Sequence, residues 1–368
     1  MSTIVLATAP AMGHLNAPLT LAKKLSAHGH EIYYLQSLRY KSYIEDHGVR
    51  FIPLGESIAL LDRLMDFRQH DEPLDEQLLK LIEVYRRQIA GLVKTLKPEL
   101  FLVDPYIPDI AAIVRQLAAP FVFINSTLVD ISELYDAPEV ATVPELVLCP
   151  AEFDLPKQAV RSKRKRYFVG AEVNWQRHEE LFDWSRIDPD KPLVYCALGT
   201  HVDKYSHVQH FFETVIEAVG SLPQYQLILA NPGPDSFKNL PANVLLLKHA
   251  PQLQILQRTS VFITHGGLNS IKEALFYGVP MVVFLCWVDQ PMDANRIVYH
   301  RLGLMGDLST VTVEEVRALI QKVAETNLYR ERAKHFRDII KQYEEAQVSV
   351  NVVEALLRLV ARTPHLAA

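Results

Sequence analysis

The sequence predicts an α/β protein with two parallel-sheet halves, and three observations carry that expectation. Short apolar runs alternate with amphipathic stretches along most of the 368 residues. The alternation breaks in a Pro-rich stretch, 143–190, and restarts after Pro192. Each half opens alike, with a buried strand, a loop of small residues and a helix. The length suits two to three domains. We therefore expect a Rossmann-like domain at 1–185, including a helical insertion at 56–97 and a linker at 150–190, and a second at 186–368. Open parallel sheets bind ligands at the carboxyl ends of their strands. Two such domains facing each other would put the best pocket in a deep cleft between them.

The first element is a buried strand, Ile4 to Ala7, followed by a small-residue loop and a helix from about Ala17 to Ala27. Asn16 stands where an N-cap belongs, Pro18 is tolerated in a first turn and Gly29 closes the helix. Leu15, Leu19, Ala22 and Leu25 recur at helical spacing and form its buried face. A strand at 31–35, a helix at 39–46 and a strand at 49–54 continue the pattern. In the insertion, Leu78, Leu81, Ile82, Tyr85, Ile89, Leu92, Val93 and Leu96 keep a helical period that ends before Pro98. Strands follow at 100–103 and 121–124. In the second half, strands are expected at 193–198, 227–230, 244–247, 261–264 and 281–285, with a helix at 208–220.

Composition excludes several classes. Hydrophobic residues make up 49% and charged residues 22%, so the chain is not disordered. The formal net charge of −5 lacks the basic excess of a nucleic-acid binder. Cys149, Cys196 and Cys286 lie far apart, which rules out a disulfide framework and suits a reducing cytoplasm. The longest apolar stretch, Gly278 to Val288, is about half the length of a membrane span, and the N-terminus has no signal-peptide n-region. We expect a cytoplasmic protein without nucleic-acid partner or stable membrane insertion. The basic run Arg161 to Arg166 reads as a solvated loop, with a membrane-surface contact as its rival.

The most informative segment runs from Val261 to Pro280. A β-branched strand leads into His265-Gly266-Gly267, a helix starts near Asn269 or Ser270, and Gly278 stops it. Paired glycines admit a ligand close to the backbone, and a helix N-terminus offers N–H groups to an anion. His265, Asn269 and Ser270 add side-chain donors. The segment is either an ordinary tight turn or a diphosphate cradle, with Glu273 one turn on, able to accept from vicinal hydroxyls. The next strand ends in Cys286-Trp287-Val288-Asp289-Gln290. Carboxylate and amide beside an indole suit a sugar, although a polar loop with a surface Trp has the same residues.

In order and spacing, Ala250-Pro251-Gln252, Thr264-His265-Gly266-Gly267, Asn269-Ser270, Glu273-Ala274, Gly278-Val279-Pro280 and Asp289-Gln290 resemble the signature of the family 1 UDP-glycosyltransferases. The His-Gly-Gly form resembles bacterial members acting on macrolides, flavonoids or zeaxanthin. The resemblance implies a GT-B architecture, with acceptor bound by the N-terminal domain and UDP-sugar donor by the C-terminal one. It implies contacts from Gln252 to uracil or ribose and from His265, Gly266, Gly267, Asn269 and Ser270 to the diphosphate. Glu273 would hold the ribose hydroxyls, and Trp287, Asp289 and Gln290 the sugar. Gly199-Thr200 resembles a Gly-Ser loop that closes on the donor phosphates. Two positions depart from the pattern. His249 stands where many plant members stack a Trp on uracil, and Asp293 where an Asn often follows the Asp-Gln pair.

A lone His near a helix start is usually structural. His14, however, lies in a run from Gly13 to Leu25 that resembles the opening motif of the same family, which implies that it is the general base. Asp104, in Leu-Val-Asp-Pro-Tyr106, matches the family's assisting carboxylate. A His of ordinary pKa, ~6.5, takes a hydroxyl proton at neutral pH. The carboxylate fixes its tautomer and stabilises the imidazolium. A helix N-terminus and His265 would meet the charge of the leaving diphosphate. Asp188-Pro189-Asp190 spells a metal-binding pattern of another glycosyltransferase fold, but it reads as a turn in the Pro-rich linker, so no metal or other cofactor is expected. The expectation is an inverting enzyme moving a sugar, glucose from UDP-glucose with a TDP-sugar as the alternative donor, to a hydroxyl of an apolar small molecule. Leu64, Phe67 and Leu134 would make the acceptor pocket apolar. The rivals are a GT-B-fold sugar-nucleotide epimerase or hydrolase, and a catalytically silent paralogue serving as a partner protein.

Overall fold

Parallel strands buried on both faces read as unbroken apolar runs, and such runs form the centre of two sheets in the computed structural model. The structure describes residues 1–54, 76–131, 142–156, 164–199, 202, 207–231, 233, 237, 239–285 and 291–362. They divide into two units, one of 1–151, 156–172 and the C-terminal stretch from 343, the other of 152–155 and 173–342.

The first unit holds a parallel sheet in the order β3-β2-β1-β4-β5-β6-β7. Its strands are β1 (Thr3–Ala7), β2 (Glu31–Gln36), β3 (Arg50–Pro53), β4 (Leu100–Val103), β5 (Phe121–Asn125), β6 (Glu145–Val147) and β7 (Arg166–Phe168). Alternate side chains feed two layers. Val5, Ala7, Phe101 and Val103 pack with Tyr85, Ile89 and Leu92 of α3 (Glu76–Leu96) and Ile110 and Val114 of α4 (Pro108–Gln116). Ile4, Leu6, Leu100 and Leu102 pack with Leu15, Leu19, Ala22 and Leu25 of α1 (Met12–Ala27). A short helix, α2 (Lys41–Asp46), leads into β3.

Helix α1 begins five residues earlier than the Ala17 expected from its caps. Leu15 belongs to the buried stripe, so packing draws the turn before it into the helix, and Ala11 takes the N-cap position without a side-chain cap. Asn16, displaced from capping, accepts from the Tyr43 hydroxyl at 2.8 Å. Gly13 and His14 therefore ride on the first turn of α1.

Two further expectations change. The stretch 150–190 is not all linker, because β7 lies in it. Of the basic run, Arg164 is buried, donates to the Val143 carbonyl at 3.0 Å and lies over the Phe123 ring. Arg166 forms part of β7 and pairs with Glu145 of β6 at 3.3 Å. Long stems cover apolar surface while the charged heads find partners, so this end of the run is packed structure, not a solvated loop. Arg161, Ser162 and Lys163 lie outside the described residues. The chain's last described helix, α11 (Val348–Arg362), also departs from a 186–368 domain. Its apolar stripe, Val350, Val353 and Leu356, completes the layer that holds α1. Nearby, Lys24 pairs with Glu172 at 3.0 Å and Glu344 at 2.6 Å. Burial alone would lower the Lys24 ammonium, but the two carboxylates outweigh it and hold its pKa above the ordinary range.

The second unit has a parallel sheet ordered β10-β9-β8-β11-β12-β13. Its strands are β8 (Leu193–Ala197), β9 (Gln226–Ala230), β10 (Val244–Leu247), β11 (Thr259–Thr264), β12 (Met281–Leu285) and β13 (Gly303–Asp307). The helices are α5 (Val208–Gly220), α6 (Gln252–Leu256), α7 (Leu268–Tyr277), α8 (Pro291–Tyr299), α9 (Val313–Glu325) and α10 (Asn327–Glu345), the last three residues of α10 belonging to the first unit. Val194, Cys196, Leu227, Leu229, Val261, Ile263, Val282 and Phe284 pack against Phe211 and Val215 of α5 and Val316 and Ile320 of α9. β13 escaped the pattern because two glycines depress its strand propensity. Gly303 is required there, since a Cβ would collide with the Met281 carbonyl of β12. Among the described residues no helix is long and apolar enough to cross a membrane.

In both sheets the chain works outward in one direction, then returns to the centre and works outward in the other. The reversal falls between β1 and β4 in the first sheet and between β8 and β11 in the second. Such points open a crevice over the carboxyl ends of the strands. If α11 belongs to the first core, Leu356→Ala costs about 3 kcal/mol, read as a lower urea midpoint. An unchanged midpoint would detach the helix from that core.

Candidate functional site

At the first reversal, β4 runs one residue beyond its ladder, with the Asp104 amide donating to the Ala7 carbonyl of β1 at 2.8 Å. The Asp104 side chain, 1% exposed, meets the turn after β1. Its Oδ1 accepts from the Tyr106 amide at 2.9 Å. Its Oδ2 accepts from the Ala9 amide at 3.4 Å and bonds His14 Nδ1 at 2.8 Å. With the carboxylate oxygen as acceptor, Nδ1 is the donor of that bond. The Tyr106 ring meets His14 edge-on at 4.9 Å. Behind the pair, Gln36 Nε2 donates to the Thr8 carbonyl at 2.9 Å and the Tyr34 hydroxyl bonds Thr8 Oγ1 at 3.0 Å. Burial, with a smaller push from the Asp104 charge, holds the Tyr34 phenol well above its usual range, so it stays neutral.

At the second reversal, the turns after β8 and β11 meet. Gly199 has φ +82°, and a Cβ there would come within 2.7 Å of His265 Cε1. A Cβ on Gly267 would strike the same imidazole, at Nε2. The ring thus occupies a slot that only glycines leave open. Helix α7 starts at Leu268, with Gly267 as its N-cap and no side chain capping it. Asn269 and Ser270, both half-buried, stand in its first turn. Their position gives the helix N-terminus the donors and partial positive charge that suit an anion.

One turn further along α7, buried Glu273 gathers three elements. Gln252, first residue of α6, donates from Nε2 to Glu273 Oε2 at 2.7 Å and accepts from the Tyr195 hydroxyl of β8 at 3.2 Å. Arg177 grips both Glu273 oxygens, Nη1 on Oε1 and Nη2 on Oε2. Arg177 also donates from Nε to Glu179 at 3.0 Å. Glu179 in turn accepts from the Leu253 and Gln254 amides at 3.1 and 3.2 Å. Burial alone would lower the guanidinium, but Glu273 and Glu179 raise its pKa further, so Arg177 is permanently charged. Tyr195 is pushed up by burial and by the Glu273 charge.

The structure thus unites His14 with Asp104, Gln252 with Glu273, and His265 with Gly199 and Gly267. Gly266, at φ +89°, lets the chain turn against Val283. His249 is exposed, and Asp293 pairs with Arg296 at 2.9 Å. Thr200, Trp287, Asp289 and Gln290 lie outside the described residues, as do Leu64, Phe67 and Leu134. Among the described residues no group of three or more His, Cys, Asp and Glu side chains is placed to hold a metal.

Residues 167–347 match the family model described as UDP-glucoronosyl and UDP-glucosyl transferase. The NDP-glycosyltransferase YjiC of Bacillus subtilis is 24% identical, over 95% of this chain and 96% of that protein. The zeaxanthin glucosyltransferase of Pantoea ananas is also 24% identical, over 88% and 89%. The crystal structure of the glycotransferase of kitacinnamycin superimposes with a TM-score of 0.79, at 24% identity, covering 96% of this chain and 98% of that one. The chain is a family 1 glycosyltransferase. It is a sugar-transferring enzyme, and its fold is GT-B.

The family match spans every donor-side residue named above, and it includes Arg177 and Glu179. Those two went unnoticed in the sequence of this glycosyltransferase. They stand in the polar run Asn174 to Glu180, where nothing in residue type or spacing separates a buried ion pair from a solvated one. The slot around His265 makes a paired prediction. Gly199→Ala should destabilise the protein by about 1–3 kcal/mol through its left-handed backbone and the ring contact. Gly13→Ala, whose added methyl meets nothing within 4 Å, should not destabilise it. Equal melting temperatures for the two variants would show that the slot is not closed.

Proposed function

We propose that this glycosyltransferase moves glucose from UDP-glucose to a hydroxyl of an apolar small molecule, with inversion at the anomeric carbon and without a metal. The observation that carries the reading is the 2.8 Å bond from His14 Nδ1 to buried Asp104. An acceptor hydroxyl becomes a useful nucleophile only as it loses its proton. His14, with Nε2 as its basic nitrogen, takes that proton, and Asp104 holds the tautomer and stabilises the resulting imidazolium. Attack on the sugar carbon then forms one C–O bond as the bond to the diphosphate breaks. A single displacement converts an α-linked donor into a β-glycoside.

The diphosphate leaves with its charge. His265, the Gly267 backbone and the first turn of α7, with Asn269 and Ser270, receive it. Gln252 and Glu273 hold the nucleoside, Glu273 through the ribose hydroxyls, and the Gly199-Thr200 loop closes on the phosphates. Support for glucose comes from the resemblance carried by Trp287, Asp289 and Gln290 and from the glucosyl donors in the names of the family and of the Pantoea relative. Zeaxanthin, named for that relative, is a hydroxylated apolar molecule of the proposed acceptor class. Three cysteines far apart in the sequence, with Cys149 and Cys196 buried, support a cytoplasmic setting.

The test is a mass-spectrometric screen of UDP-glucose with pooled hydroxylated acceptors, in EDTA, with His14→Ala beside the wild type. A hexose gain is expected in the wild type, and loss of the base should cut turnover by about 10²–10⁴ while UDP binds within twofold. Full turnover in His14→Ala would remove the base assignment, and loss of all activity in EDTA would remove the metal-free reading.

A further inference from the structure

The proposed ribose-binding carboxylate of Glu273 does not stand alone, and its three fixed donors constrain what else it can bind. Oε1 accepts from Arg177 Nη1, and Oε2 from Arg177 Nη2 and Gln252 Nε2. A carboxylate offers about four lone-pair directions. Among the described residues three are filled, and the one left open lies on Oε1. The terminal torsion of a Glu side chain is soft and broad, so without the two-pronged grip the carboxylate plane would be free to turn. A planar fork fixes that plane in a way a point charge does not.

Arg177 is itself held. Glu179 takes its Nε and Nη2, at 3.0 and 2.9 Å, and spends its other contacts on the two amides that open α6. The same guanidinium therefore fixes Glu273 on α7 and, through Glu179, the helix that presents Gln252.

We propose that Arg177 is the positioning residue of the donor nucleoside subsite, turning the free lone pair of Glu273 towards a ribose hydroxyl and so making the site select ribonucleotides over their deoxy analogues. The inference rests on the reading of Glu273 as the ribose-binding group. It adds a specificity role for a residue that touches no reacting atom.

The test is calorimetric titration of wild type, Arg177→Ala and Arg177→Lys with UDP, 2′-deoxy-UDP and 3′-deoxy-UDP. In the wild type, at least one deoxy analogue should bind about tenfold more weakly than UDP, the scale of one charge-assisted hydrogen bond. Arg177→Ala should weaken UDP by about the same factor and leave that analogue within twofold, so that the preference disappears. Arg177→Lys, which keeps the charge but not the fork, should also lose most of the preference, and it carries the comparison if the Ala variant does not fold. Equal weakening of UDP and analogue would make Arg177 merely structural and overturn the proposal, as would an unchanged preference in either variant. A wild type that binds all three equally would instead remove the ribose reading of Glu273, a failure visible before any variant is made.

Discussion

The reversal of strand order at the centre of each sheet is the constraint on which both constellations depend. Where neighbouring parallel strands send their connections to opposite faces, nothing crosses their carboxyl ends. Register then decides what projects there. Ala7 lies beside Val103, so the residue after each strand falls at the same edge, and Asp104 reaches the turn that leads to His14. Ala197 lies beside Thr264, which sets Gly199 against His265. A slip of one residue in either ladder would turn these side chains to the other face. The apolar layers that lock the register, Val5 and Ala7 with Phe101 and Val103 in the first unit, are thus also what aims the polar groups.

Much of this could be read from the chain because it is written in local pattern. The buried strands of both sheet centres are continuous apolar runs, and α7 has its glycines at both ends. The pairing of His14 with Asp104 spans 90 residues, and only resemblance to a family motif joined them in advance. What escaped was decided by tertiary contact. Asn16 is a good cap by type, yet burial of Leu15 moved the start of α1 upstream. Arg166 and Glu145 look like loop charges, yet they pair across β6 and β7. The stripe of α11 announces a helix without announcing which core receives it.

Arg177 shows the same limit at the donor side. Glu273 stood out because it is embedded in a dense motif, whereas its partner lies 96 residues earlier in a run of polar residues. Ion pairs of this kind have no periodicity, and burial alone distinguishes them from surface pairs of small worth. Even so, the chemistry of the motif implies such a partner. A buried carboxylate has acceptor positions that need several donors, and the pattern around Glu273 supplies only Gln252.

The two constellations present opposite charge, a carboxylate behind His14 and helix-start amides beside His265, and the proposed reaction uses both. Proton transfer from the acceptor creates a cation on an imidazole, so the first unit sets a fully desolvated carboxylate behind that ring, at 2.8 Å from Nδ1. Departure of the nucleotide collects negative charge on phosphate oxygens, so the second unit offers backbone amides at an uncapped helix start beside an imidazole in a glycine slot. Both arrangements are built before substrate arrives, from groups whose orientation is fixed by backbone bonds or packing. Preorganised dipoles of this kind stabilise developing charge without the reorganisation that water would require. Reversing the two would fail on charge alone. A carboxylate at the start of α7 would repel the leaving diphosphate, and His14 without Asp104 behind it would lack a counter-charge for the imidazolium that proton removal creates.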